Sequence, residues 1–464
     1  MLVAHGDAFL SQQLGCGPTE LGKIRRVKRK PDWHGAEMSP HSRLDLNCLF
    51  TSLGRLGRWQ FAFVALVATA LPCRAVEVSG LLDLRLQAND SKSSWIGGGL
   101  DKSRFDSSGG GIRLGQAFLR FRGEPVESIS ATATFSAYDD RRGLLDINEA
   151  WLAWQPVPTS GWKHRVRAGS FFPATSLEID YDSVGWTPRY TVSSSAVNSW
   201  IGEELRTNGL EYSLSQNGRM SGSSHSYSLT AALFAANDPA GTLLAWRGWT
   251  ISDRVAGLRE NQRLADLPVF QPGGPLPQQS RQINTFRELD SRIGHYLIVQ
   301  YSYADQLELA AMRYDNNANP LVLRDGQYSW LTRFNHFSTR LKKVGSWDVS
   351  MQLMQGDTLM GPAAVYLDFN AWYLLATRPL GPGHVALRYD RFSTTERAAD
   401  ILPNDPNNED GQSLALAYSW NLKNQLSLVT ELLVVQSNRT ARLQIGDPVQ
   451  RTERSVNTSL RWQF

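Results

Sequence analysis

The feature that most constrains this chain is the spacing of its apolar residues from position 76 onward. They alternate with polar residues over segments of about ten residues, without a helical period. In the first segment, Leu82, Leu84 and Leu86 fall on one face. Asp83 and Arg85 fall on the other. The alternation predicts an all-β protein, either a soluble sandwich or a transmembrane β-barrel.

Only one stretch of the chain is strongly apolar. It runs from Phe61 to Leu71 and is about half as long as a membrane-spanning helix, which needs about 20 apolar residues. Two arginines precede it, and the small residues Cys73 and Ala75 follow it. This order is typical of a secretory signal peptide, so we expect cleavage after Ala75, which the intact mass of the exported protein tests. A lipoprotein anchor at Cys73 is an alternative, but Pro72 stands where a small residue is needed.

We therefore divide the chain into residues 1–75, an N-terminal extension with a signal peptide, and residues 76–464, the exported part. Met38 is an alternative start, which would make residues 1–37 an over-extended reading frame rather than a long leader. A basic run within residues 23–30 resembles a nucleic-acid patch, but the export signal that follows argues against this reading.

The cysteines and charges of the leader agree with export. Cys16, Cys48 and Cys73 all precede the cleavage site, and an oxidising periplasm favours a mature chain without cysteine. Ten of the 48 Lys and Arg residues and five of the 44 Asp and Glu residues also lie there, which leaves 38 basic and 39 acidic residues. The net charge of the exported part is therefore near −1, so we expect no nucleic-acid partner.

Connection lengths distinguish the barrel from the sandwich. Sixteen segments can be counted, and an even number places both termini on the periplasmic side. The connections from odd to even segments are mostly long, as in residues 238–289, and the others are short, as at residues 304–305. This is the loop asymmetry of outer-membrane barrels. The predicted strands lie near residues 78–87, 113–123, 128–138, 145–155, 163–171, 205–215, 226–236, 292–303, 306–314, 328–340, 347–355, 365–377, 384–392, 413–420, 425–435 and 453–464.

The last segment ends in an aromatic residue. Its apolar face consists of Val456, Thr458, Leu460, Trp462 and Phe464. A terminal aromatic residue on such a strand resembles the signal that the barrel-assembly machinery recognises in outer-membrane proteins. Other aromatic residues stand at strand ends, where their rings favour the membrane interface: Trp154, Tyr303, Tyr389 and Trp420. We therefore expect a protein of a Gram-negative outer membrane, in contact with its lipid and lipopolysaccharide.

Three stretches carry a family resemblance. Glu149–Trp154, Arg167–Pro173 with Ser176–Glu178, and Gly202–Leu210 resemble the phosphate-selective porin O and P family. They cover roughly the first third of the exported part. The resemblance implies a sixteen-stranded homotrimeric barrel whose third extracellular loop, here residues 172–204, folds inward and narrows the pore.

Strand parity predicts which charged residues line the pore. If Leu84, Leu119 and Val166 face lipid, five arginines point inward: Arg85, Arg120, Arg122, Arg165 and Arg167. The inward loop adds Glu178, Asp180, Asp182 and Arg189, and Arg206 joins them only through that loop. These residues favour a porin-like passive channel for small ions and hydrophilic solutes, with a mild anion preference that the acidic loop residues oppose. Alternatively, the charges pair with one another and only keep the wall wet.

Other chemistry finds little support in the sequence. The five histidines after residue 75 are scattered, and none accompanies a G-x-S-x-G motif, so we expect neither an enzyme nor a cofactor. Residues Asn404–Gly411 could bind calcium, although a solvated loop is the simpler reading. The alternative function is a substrate-specific transporter with a gated lumen, either TonB-dependent or for hydrophobic solutes. Against it, no plug domain fits between Ala75 and the first strand, and the inward faces are polar.

Overall fold

The computed structural model describes residues 76–141, 145–159, 161–423 and 425–464. The predicted leader and signal peptide, residues 1–75, lie outside the described residues. Sixteen antiparallel strands form one closed barrel in which every strand pairs with its neighbours in chain order, and the last strand pairs with the first. The prediction of a sixteen-stranded antiparallel barrel is confirmed.

Each predicted strand overlaps one observed strand. The barrel strands are β1 Val76–Asn89, β2 Gly111–Val126, β3 Ile129–Ala137, β4 Leu145–Trp154, β5 Trp162–Phe171, β6 Thr207–Gln216, β7 His225–Ala235, β8 Gly294–Tyr303, β9 Leu307–Asp315, β10 Leu331–Val344, β11 Trp347–Met360, β12 Val365–Leu380, β13 Gly383–Glu396, β14 Glu409–Lys423, β15 Leu426–Arg439 and β16 Gln450–Gln463. Outside the barrel sheet, two-residue strands pair Gln262–Arg263 with Gln282–Ile283 and Leu323–Arg324 with Gln327–Tyr328. The α-helices are α1 Ala196–Glu204 and α2 Thr242–Trp246. Short 3-10 turns occupy Trp95–Gly97, Ser107–Gly109, Gly218–Ser221, Pro268–Phe270 and Thr440–Ile445.

The later strands run further toward the extracellular end than the sequence predicts. On β14 and β15, polar side chains continue the pairing beyond the apolar belt, where the Gln412 amide donates to the Gln436 carbonyl at 2.9 Å. Asn438 likewise donates to Asp410 at 3.2 Å. The alternation of apolar and polar residues ends at the edge of the membrane, but the backbone pairing of the strands continues beyond it. Apolar periodicity therefore underestimates the length of these strands.

The barrel closes where β1 meets β16. Their register runs from Leu81 opposite Gln463 to Asn89 opposite Ser455. Below this ladder, Gly80 donates to the Phe464 carbonyl at 2.8 Å, and Phe464 donates to the Gly80 carbonyl at 3.1 Å. The closure leaves no unpaired strand edge, which is the condition for strands to cross a bilayer.

The two faces of each strand differ in polarity. Leu84, Leu416 and Leu432 point outward and are 43%, 45% and 49% exposed. Arg85 and Arg388, on inward faces, are buried. A closed barrel with an apolar exterior and a polar interior is an outer-membrane protein of the Gram-negative type. No helix within the described ranges is long and apolar enough to span a membrane.

The connections at the two ends of the barrel differ in length, and we assign the end with the long ones as extracellular. Three long ones lie at the end that β1 reaches, namely residues 90–110 (L1), 172–206 (L3) and 236–293 (L4). The opposite end carries short turns such as residues 304–306 and 381–382. Residues 361–364, between β11 and β12, form a short connection on the extracellular side.

We predict that an outward-facing charge destabilises the barrel according to its depth in the membrane. Leu432→Arg, in the middle of β15, should lower the free energy of unfolding by about 2–4 kcal/mol in lipid vesicles. Gln436→Arg, four residues further along the same face of β15, should cost about 0–1 kcal/mol. Equal losses measured by denaturant titration would contradict the assigned depth.

Candidate functional site

L3 lies against inward-facing side chains on the far side of the barrel. Its Glu178 pairs with Arg388 of β13 at 2.6 Å and accepts a hydrogen bond from the Ser195 backbone at 2.9 Å. On β15, Glu431 accepts the backbone N–H of Val192 at 2.9 Å. L3 therefore runs from β5 across the lumen to β13 and β15.

Gln352 of β11 holds a second part of L3. Its amide nitrogen donates to the Thr175 carbonyl at 3.0 Å and lies 2.8 Å from Nε2 of the buried His336. Its amide oxygen accepts the Leu177 backbone N–H at 3.0 Å and the Asn198 side chain at 3.2 Å. A single inward glutamine thus contacts both the start of L3 and its helix.

The helix of L3 lies inside the barrel. Ser195 caps α1, because its hydroxyl accepts the backbone N–H of Asn198 at 3.3 Å. All nine residues of α1 are buried, as is the whole stretch from residue 191 to residue 206. A helix that is buried all round, polar residues included, packs against protein on every side.

L4 also crosses the lumen, which the sequence analysis did not predict. Residues 237–258 are buried without interruption. Ala240 accepts a hydrogen bond from Thr332 of β10, the Trp249 indole donates to the Ser393 carbonyl of β13 at 3.0 Å, and Leu258 donates to the Ile147 carbonyl of β4 at 2.9 Å. The signal was present in the apolar run 243–249 (LLAWRGW), which does not suit a solvated loop.

Arg85 is one of the predicted pore arginines, and L4 neutralises it. Its guanidinium bonds to Asp83 at 2.5 Å and to Asp253 of L4 at 2.8 Å. Burial opposes the ionisation of Asp253, but Arg85 and Arg104 together lower its pKa to about 2. Arg85 faces inward as predicted, but its charge is compensated.

A buried ion cluster fixes L1 and L4 at the extracellular end. Lys102 of L1 pairs with Glu409, which also accepts the Trp249 backbone N–H at 3.0 Å and lies 3.3 Å from Arg439. Burial lowers the pKa of Lys102 to about 7, although Glu409 raises it. Asp405 accepts the Trp246 indole N–H at 3.0 Å. Two of the carboxylates proposed for calcium within Asn404–Gly411 therefore have protein partners.

Apolar side chains of L4 form a cluster beside this ion network. Trp246 is fully buried, and its ring centroid lies 4.8 Å from that of Phe270 and 5.0 Å from that of Trp330. Leu243 and Leu264 belong to the same cluster. L4 and α1 are thus both packed inside the barrel, against its wall and against each other.

The periplasmic half of the barrel contains two adjoining cavities. The larger has a volume of about 1090 Å³ and is lined partly by residues of the periplasmic turns, such as Asn217 and Asp305. The smaller, which we call the basic cavity, has a volume of about 530 Å³ and lies between L3 and the inner faces of β2–β8. Lys163, Tyr181 and Gln300 line both.

The basic cavity has an excess of positive charge. Its charged lining comprises five cations, Arg120, Arg122, Lys163, Arg165 and Arg167, and two acids, Glu149 and Glu211. Counted as full charges, these side chains sum to +3.

Few of these cations are neutralised nearby. Arg167 pairs with Glu211 at 2.7 Å, and Arg122 lies 3.7 Å from the exposed Glu124. Arg120, Lys163 and Arg165 have no ion-pair partner in the part of the chain that the structure describes. The positive field of the cavity comes from these three residues and is partly opposed by Glu149, which also has no ion-pair partner among the described residues.

The predicted charges at the tip of L3 face the other cavity. Asp180, Asp182 and Arg189 line the larger cavity, and Asp182 and Arg189 are exposed. That cavity has five acidic and five basic lining residues, and one of the basic residues, Lys163, also lines the basic cavity. The acidic loop residues therefore do not cancel the charge of the basic cavity locally.

Two predicted pore residues belong instead to the packing of the loops. Glu178 binds Arg388, as described above. Arg206 is fully buried and donates to the carbonyls of Leu205 at 2.7 Å and Ala256 at 2.8 Å. Its guanidinium carbon lies 3.4 Å from the centroid of the Phe172 ring. The prediction that these residues line the passage differs from the structure, because Arg388 and residues of L3 enclose Glu178, and L4, whose path the sequence did not reveal, covers Arg206.

No family model matches the chain, and no curated protein does. The resemblance to the phosphate-selective porin O and P family is therefore not confirmed. Similar solved structures include a loop-deletion mutant of OmpT, an outer membrane protein of Vibrio cholerae, with 9% identity and a TM-score of 0.49 over 84% of this chain and 99% of that one. An anion-selective porin from Comamonas acidovorans has 13% identity and a TM-score of 0.47 over 84% and 99%. The outer membrane channel DcaP of Acinetobacter baumannii has 10% identity and a TM-score of 0.48 over 84% and 97%. These likenesses concern the fold.

We predict that Arg388→Met releases L3 without opening the barrel. The substitution leaves the buried Glu178 and Asp390 without their cation, a loss of about 3–5 kcal/mol. Hydrogen exchange should become at least about 100-fold faster in residues 173–206, since each 1.4 kcal/mol is a factor of ten, and stay slow in β14 and β15. Arg397→Met, which removes an exposed pair with Asp368, should change exchange little. Unchanged protection of L3 in Arg388→Met would contradict its anchoring role.

Proposed function

We propose that this chain is a porin-like passive channel of the outer membrane that favours small anions. The observation that carries the proposal is the set of uncompensated cations, Arg120, Lys163 and Arg165, on the basic cavity. Low-dielectric walls concentrate the field of such charges and raise the local concentration of anions. Transport in this proposal is diffusion down a gradient, without a catalytic step or a cofactor.

The buried course of L4 favours a second candidate, a gated channel that opens for a particular solute. Protein atoms occupy the lumen where L4 packs on α1, as when Ala256 donates to the Gly202 carbonyl at 3.1 Å. Passage at this level requires L4 to move. The two candidates share the basic cavity and differ in whether L4 opens without a ligand.

Three partners expected from the sequence remain proposals: a second and third copy of the chain, membrane lipid with lipopolysaccharide, and the assembly machinery at the exposed Phe464. The outer faces of β3–β5 support the homotrimer, because small residues such as Ala133 and Ala150 are paired neighbours there. Small residues allow close approach of another surface within a membrane.

We predict that the detergent-solubilised protein has three times the mass of one chain and that Ala133→Trp lowers this mass toward that of the monomer. The added ring would separate the surfaces that Ala133 allows to approach. Light scattering measures the mass, and Leu416→Trp, on the outer face of β14, is the control. A monomeric unmodified protein would contradict the trimer.

We predict that removing two uncompensated cations reduces anion preference. In a planar bilayer with a salt gradient, Arg120→Gln with Arg165→Gln should lower the anion-to-cation permeability ratio. The expected factor in this ratio is about five per charge, because a unit charge at about 8 Å in water favours an anion by about 0.5 kcal/mol and disfavours a cation by the same amount.

Two controls accompany this measurement. Arg391→Gln removes an exposed, outward-facing charge of β13, so the ratio should not change. Arg167→Gln with Glu211→Gln removes an ion pair and no net charge, so its effect should be smaller. The unmodified protein could instead prefer cations. If Asp180→Asn with Asp182→Asn abolished that preference, the acidic residues at the tip of L3 would determine the ion selectivity.

We predict that shortening L4 opens the channel. Replacing residues 242–258 by a short Gly-Ser linker should raise the open probability and the single-channel conductance, because it removes the segment that crosses the lumen. Replacing the mostly exposed residues 399–403 between β13 and β14 is the control and should change neither. Equal conductance of the shortened and unmodified proteins would show that L4 does not restrict the passage.

A further inference from the structure

The basic cavity has an aromatic surface as well as a cationic one. On the barrel wall, Trp151 of β4 points inward. Thr132 of β3 lies between Trp151 and Arg122 of β2, because it is opposite both residues in the strand register. On its other side, the guanidinium carbon of Arg165 lies 5.3 Å from the centroid of the Trp151 ring. Trp151 therefore stands between cations from two parts of the wall.

L3 supplies the opposite side of the cavity. Phe172 and Trp186 stack with their ring centroids 4.4 Å apart, and Tyr181 packs edge-on against Trp186 at 6.2 Å. All three line the basic cavity, but only Tyr181 is exposed there, whereas Phe172 and Trp186 are buried behind it. The stacking and the Trp186 indole, which donates to the Asn198 carbonyl at 2.9 Å, fix these rings in place.

The arginine donors of this cavity are incompletely used. Arg120 is half-buried, and its Nε is buried without a hydrogen-bond partner among the described residues. A buried donor without an acceptor is unfavourable, and a carboxylate accepts two donors from one guanidinium. Arg165 has no carboxylate partner in the same part of the chain. The wall thus offers charged donors beside a flat apolar ring.

We propose that the basic cavity binds aromatic carboxylates. The carboxylate would bind the guanidinium groups of the wall, and the ring would lie against Trp151 and the exposed Tyr181 of L3. The volume of about 530 Å³ lies within the range of small-molecule sites. The proposal rests on the proposed anion channel, because it names the class of anion that this lumen retains best.

An inorganic anion would use only the cations of this site. The aromatic lining predicts a preference between carboxylates of equal charge and similar size, since stacked and edge-on ring contacts favour a flat ring over a puckered one. Benzoate and cyclohexanecarboxylate differ in this respect, and benzamide keeps the ring of benzoate but lacks its charge. The three compounds separate the contribution of the ring from that of the charge.

Titration calorimetry on the detergent-solubilised exported chain tests the proposal without requiring conductance. Benzoate should bind about 2- to 10-fold more tightly than cyclohexanecarboxylate, and at least about 10-fold more tightly than benzamide. Arg165→Gln should weaken benzoate binding about tenfold and leave benzamide unchanged. Arg391→Gln, which lies outside the lumen, should leave all three affinities unchanged.

A second pair of variants isolates the ring contact. Trp151→Leu should remove the preference for benzoate over cyclohexanecarboxylate, whereas Trp151→Phe should retain it. Equal affinities for these two acids in the unmodified protein, or a preference that survives in Trp151→Leu, would overturn the proposal. In either case the permeability ratio in simple salt would still report on the anion channel separately, so failure of the site and failure of the channel are distinguishable.

Discussion

The pairing of inward-facing wall charges with the loops is the constraint on which the rest of this structure depends. A closed barrel leaves half of its side chains pointing into a confined space, where an isolated charge is unfavourable. Arg388 illustrates how the charge is compensated, because it binds Glu178 of L3, Asp390 of its own strand and the carbonyl of Ser193. Such contacts determine where L3 lies, and L3 in turn forms one side of both cavities.

The same rule divides the inward arginines into two groups. Where a loop brings a carboxylate to the wall, as Asp253 of L4 does for Arg85, the arginine fixes the loop and contributes little to the field of the lumen. Where no loop carboxylate arrives, as at Arg120 and Arg165, the charge faces an open cavity. In the function that we propose, anion preference is therefore a property of the wall from β2 to β5, and gating is a property of L4.

The fold could be read from the sequence because its signals are local. Alternation, loop length and the terminal aromatic strand each depend on neighbouring residues, and strand parity placed Arg85, Arg120 and Arg165 on inward faces. Parity could not separate Arg85 from Arg165, because Asp253 reaches Arg85 from 168 positions away in the sequence. The path of L4 depends on such distant contacts, and only its apolar run at residues 243–249 indicated burial.

Loop contacts neutralise inward arginines such as Arg85 and Arg388, whereas the basic cavity stays positive. Because all three cysteines precede Val76, residues 76–464 contain none, and one introduced cysteine in that part of the chain can report on this cavity. In a Ser213→Cys variant, the new thiol lies on the wall of this cavity, and we expect an anionic methanethiosulfonate reagent to react with it faster than a cationic reagent of similar size. Adding Arg120→Gln and Arg165→Gln should reduce the ratio of the two reaction rates. Equal rates for the two reagents, or faster reaction with the cationic one, would contradict the account.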